Sequence, residues 1–66
     1  MTFEDYLKQI WATDFNGLRE GQRAFNLLSL YRPRIAERIR NTELDPFFDD
    51  SILPAFFAVV EGSWDE

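Results

Sequence analysis

Sixty-six residues suffice for one domain only, and a chain of that size buries about 60% of the surface its unfolded form exposes, so marginal stability is expected. Cysteine and histidine are both absent, which excludes disulfide staples, the usual zinc ligands, thiol nucleophiles and imidazole acid–base chemistry. The net charge of −5 is unevenly spread: residues 1–18 carry −2, residues 19–40 carry +4 as six arginines against Glu20 and Glu37, and residues 41–66 carry −7 with no base.

The first predicted element is a helix over about 3 to 12. Thr2 can cap it, with Asp5 three residues on, and Phe3, Tyr6, Leu7, Ile10 and Trp11 recur at spacings of three and four. Thr13 to Gly17 is a turn signal in which Asp14 or Asn16 is placed to cap a second helix starting near Leu18. Leu18, Phe25 and Leu28 form that helix's apolar stripe, with Leu27 and Tyr31 as further candidates for it. Gly21 falls on the same face, where it costs about 1 kcal/mol relative to alanine, and a second helix crossing closely there would explain it.

Arg32-Pro33 breaks the pattern, because the residue before proline is driven out of the helical region while proline itself suits the first turn of a new helix. That third helix covers about 33 to 40. Ile35, Ala36 and Ile39 face inward and Arg34, Glu37, Arg38 and Arg40 face water, with Asn41 as the stop. Asp45-Pro46 initiates a turn, and Asp49, Asp50 or Ser51 can cap a fourth helix running from about Ser51 or Ile52 to Glu61, where Gly62 would supply a left-handed stop. Ile52, Leu53, Phe56, Phe57, Val59 and Val60 cover more of its circumference than one stripe requires, so it is either central or shared with a partner.

These elements predict a single all-α domain over 1–66, a compact bundle of about four short helices. Aromatic residues make up 17% of the chain, and they are how so small a domain without staples can form a core. The acidic start and the lack of any apolar run near the roughly 18 residues of a membrane span lead to the expectation of a soluble, cytoplasmic protein.

The stretch Asn41 to Ser51 sets Glu43, Asp45, Asp49 and Asp50 around Phe47 and Phe48. As a calcium loop it lacks the alternating ligands, the glycine at the sixth position and the terminal bidentate glutamate, so turn and capping duty is the better reading and no metal or cofactor is expected. Asp45-Pro46-Phe47 resembles the tripeptide bound by clathrin-adaptor appendage domains. It sits between two helices of a domain that needs its phenylalanines, so at least one of Phe47 and Phe48 is expected to be buried. Paired-acid catalysis needs a cleft, which a chain of this length rarely encloses, so no enzymatic activity and no small-molecule substrate are expected.

The arginines of 19–40 raise a nucleic-acid-binding helical domain as one alternative, opposed by a pI near 4.5 that gives no long-range attraction to phosphates. The seven acids after residue 40 raise the opposite alternative, an acidic mimic of DNA. The leading expectation is a non-catalytic protein-interaction module, self-associating or bound to another protein. Its surface is expected to draw on Phe57, Val60, Trp64, Asp49 and Asp50, with Arg34 and Arg38 as further candidates.

Residues Leu18 to Asp50 carry the pattern Leu-Arg-x-Gly-Gln-x-x-Phe-Asn, then Pro-x-x-Ala-x-x-Ile-Arg, then Asp-Pro-Phe with a following acid. About half of the chain thereby resembles small uncharacterised proteins carried by bacteriophages and bacteria. The resemblance implies a compact helical protein of phage or prophage origin and no activity or site residue; a phage-encoded factor binding a host protein is one form expected of the interaction module.

Overall fold

The first helix, α1 (Phe3–Ala12), begins with the expected cap. The Thr2 N–H donates to the Asp5 carboxylate and the Asp5 N–H donates to Thr2 Oγ1, both at 3.1 Å, so two backbone donors that the helix cannot satisfy find side-chain partners. Three more helices follow, α2 (Glu20–Tyr31), α3 (Pro33–Ile39) and α4 (Leu53–Ser63), the last entered through a 3₁₀ turn at Asp50–Ile52. The computed structural model describes residues 1–12 and 17–65, and among these there is no strand. The expected caps Asp14 and Asn16 lie outside the described residues.

The second helix starts two residues later than its apolar pattern suggested. Arg19 is extended at the N-cap position and has no acceptor to offer the helix; its own N–H donates back to Gln22 Oε1 at 3.1 Å. The missing acceptor comes from far along the chain, where Asp50 Oδ1 takes the Gly21 N–H at 3.1 Å. At the other end, Arg32 is extended ahead of Pro33, and this one residue joins α2 to α3. Past α3, Asn41 adopts φ 61°, the left-handed conformation that asparagine tolerates and that ends helices.

Each helix buries one face. Tyr6 and Ile10 of α1 meet Ala24, Phe25, Leu27 and Leu28 of α2, with Ile35, Ala36 and Ile39 of α3 and Leu53, Phe56 and Val60 of α4 completing the core. The Tyr6 hydroxyl, placed deep among them, is satisfied, because it donates to the Ala24 carbonyl at 2.6 Å. Burial pushes that phenol well above its ordinary pKa. The radius of gyration, 10.7 Å, is what a compact domain of this length requires, about 10.8 Å.

Two expectations about glycine need correction. Gly62 does not stop the fourth helix: α4 continues through it to Ser63, and Gly17 is the glycine with positive φ among the described residues. Gly21 is indeed at a close approach, but to a loop. A Cβ at this position would collide with the Pro46 carbonyl oxygen and the Asp50 carboxylate.

Candidate functional site

The acidic stretch 41–51 folds as a strap over the start of α2. Asp45 organises it, one carboxylate oxygen accepting the Asn41 N–H at 2.8 Å and the other the Phe47 N–H at 3.0 Å. Asp49 Oδ1 accepts the N–H and hydroxyl of Ser51, at 3.0 and 2.6 Å, and these bonds hold its pKa below the usual carboxylate value. Arg19 closes the strap by donating to the Phe47 carbonyl at 2.7 Å, with its Nε 3.6 Å from Asp50. Pro46 is fully buried beneath it. Of the two phenylalanines, Phe47 is half-buried edge-on against Phe25, and Phe48 is 80% exposed. Among the described residues no group of acids is placed to hold a metal.

The expected surface on the fourth helix is not there. Val60 and Trp64 are 0% and 3% exposed, and Phe57 is half-buried among the rings of Phe3, Tyr6 and Phe56. The physical reason is an aromatic cluster that closes the end of the bundle, with Trp64 stacked on Tyr6 at 5.0 Å and met edge-on by Phe3. The indole N–H donates to the Met1 carbonyl at 3.0 Å. Arg32 lies 4.3 Å over the same indole and donates to the carbonyls of Trp64, Tyr31 and Met1. The wide apolar coverage of α4 is thus mainly core; Val59 is its large apolar residue left exposed.

The remaining two candidates, Arg34 and Arg38, are exposed on α3, one helical turn apart. They flank a groove of about 670 Å³ whose apolar walls are Tyr31, Pro33 and Ile35, with Arg32 and Glu37 at its edges. A second groove of about 270 Å³ runs between α3 and α4, lined by Leu44, Val59, Ile39 and Glu43. Ile35 and Arg38 line both, so the two grooves adjoin at these residues and together make a trough along α3.

The chain builds this place from short-range rules. Inward burial of Ile35, Ala36 and Ile39 turns residues 34, 37 and 38 outward on a seven-residue helix. Elsewhere on the chain Arg19 clamps the strap, Arg32 is fixed on Trp64, and Arg40 reaches Glu37 at 4.0 Å while lying 5.8 Å from the Phe25 ring. Two guanidinium forks beside apolar walls can hold carboxylates in bidentate pairs while covering hydrocarbon. The spacing of Arg34 and Arg38 was visible in the sequence. The walls were not, because Tyr31, Leu44 and Val59 come from three different segments.

No helix among the described residues is long and apolar enough to cross a membrane. No family model, curated protein or solved structure matches the chain.

Proposed function

We propose that the chain is a non-catalytic protein-interaction module that holds its partner on the outer side of α3, in the trough between Tyr31 and Val59. One observation carries this reading: two exposed arginines one helical turn apart stand beside an apolar groove. Phe57, Val60 and Trp64 face inward, and Asp49 and Asp50 accept bonds from the chain's own backbone. A phage-encoded factor would use such a surface on a host protein.

A nucleic-acid reading has less support. A single residue joins α2 to α3, where a helix-turn-helix needs a turn of about three or four. The DNA-mimic reading is weakened by the inward duties of Asp45, Asp49 and Asp50.

The test is capture from a bacterial lysate on the immobilised wild-type chain and on the R34E/R38E double variant, whose exposed substitutions leave the core untouched. A protein retained by the wild type and depleted at least about tenfold by the variant supports the surface, a change equal to about 1.4 kcal/mol. Equal retention by both chains, or retention by neither, overturns it.

A further inference from the structure

We propose that the trough takes an amphipathic helical segment of a partner protein that presents two carboxylates one turn apart beside a leucine-like side chain. This deepens the proposed function and rests on it.

The chemistry follows from spacing. Side chains at Arg34 and Arg38 stand about 5–6 Å apart at their roots, as do two acids one turn apart on a facing helix, so each guanidinium can meet one carboxylate. Between and beside them Tyr31, Pro33 and Ile35 offer an apolar floor, which leads past Ile35 to Leu44 and Val59. A volume of about 670 Å³ accommodates several side chains of a docked helix.

Charge selects among the anions. A polyanion such as DNA would be repelled by a molecule of net charge −5 and would be brought against Glu37, between the two arginines in sequence, and Glu43 on the adjoining groove. Two discrete carboxylates on an apolar helix avoid both problems, since they need only local pairing.

A second copy of this chain is the weaker occupant. Its own exposed acids at the matching spacing are Glu61 and Asp65. Glu61 stands about 200° around α4 from Val59 and Ser63, which line the trough, so it belongs to the opposite side, and Asp65 lies beyond the end of the helix. Pairing one side with the other is head-to-tail and leads to open-ended assembly rather than a closed dimer.

The experiment is an amide-shift titration of the ¹⁵N-labelled full chain with an alanine-based helical peptide bearing two glutamates one turn apart and leucines beside them. Saturable shifts are expected at Arg34, Arg38, Leu44 and Val59, with affinity falling about tenfold or more when the glutamates become glutamines, when the leucines become alanines, or in R34E/R38E. Shifts that ignore these changes overturn the proposal, as does their absence. So do stronger shifts with duplex DNA, or shifts at these residues that grow with protein concentration alone. If the peptide fails while R34E/R38E still abolishes capture from lysate, the occupant is wrong and the interaction surface stands; failure of both removes both.

Discussion

Two glycines inside helices have opposite meanings, and the difference lies in what stands beside them. Gly62, in the last turn of α4, has nothing within 4 Å of the position a Cβ would take. Gly62→Ala is expected to raise stability by about 0.5–1 kcal/mol, from helix propensity alone. The same change at Gly21 would gain a similar propensity term, yet its Cβ would meet the Pro46 carbonyl and the Asp50 carboxylate. That carbonyl belongs to a buried proline and also accepts the Asp49 N–H, so it cannot yield cheaply. Gly21→Ala is therefore expected to destabilise by about 1–3 kcal/mol. Urea denaturation of the two variants decides it, and shifts of the same sign would defeat the argument. The sequence placed Gly21 on a buried face correctly but misassigned what approaches it, and it read Gly62 as a stop. The Gly21 error arises because periodicity within a helix carries no information about a loop arriving from 25 to 29 residues away, at Pro46 and Asp50.

At the scale of elements, α2 begins where it does because another segment completes its first turn. Asp50 accepts the Gly21 N–H and lies beside Arg19, tying the 3₁₀ turn ahead of α4 to the start of α2. The ion pair is half-exposed on both sides and contributes little by itself. The cap is the larger part, so Asp50→Ala is expected to cost about 1 kcal/mol and lower Tm by roughly 4–8 °C. Asp50→Asn retains an acceptor and is expected to lose less. Amide hydrogen exchange should show the loss concentrated in the first turn of α2; uniform loss across all four helices would contradict a local cap. Local signals made the four helices and the capping role of 41–51 legible: Thr2 with Asp5, Pro33, Asn41, Asp49 with Ser51. The identity of the capped helix was not legible, because Asp50 was read as serving the element that follows it rather than one that precedes it by a whole helix and loop.

For the molecule as a whole, one indole joins the beginning, middle and end of the described chain. Trp64 stacks on Tyr6 of α1, carries Arg32 from the α2–α3 junction on its face, and donates to the Met1 carbonyl. Its nearness to the end of the sequence made it look available to a partner; its stacking on Tyr6, its edge contact with Phe3 and its bond to the Met1 carbonyl explain its burial. The same reasoning separates what could be read of the trough from what could not: Arg34 and Arg38 follow from α3's own periodicity, whereas the walls that Leu44 and Val59 supply exist only once α4 and the 42–44 segment fold back beside it. Trp64→Ala should cost about 3–5 kcal/mol, close to the entire stability of a small domain, and leave much of the chain unfolded at 37 °C. A collapse of that kind would also follow from simple loss of volume, so Trp64→Phe distinguishes the two causes. Phenylalanine fills much of the same space but cannot donate to Met1, and truncating Met1 should then cost the wild type more than the Phe variant, which loses only the Arg32 bond to the same carbonyl. Additive losses in a thermal-melt cycle of the two changes would mean that the bond between the indole and the Met1 carbonyl contributes nothing, and that Trp64 acts by packing alone.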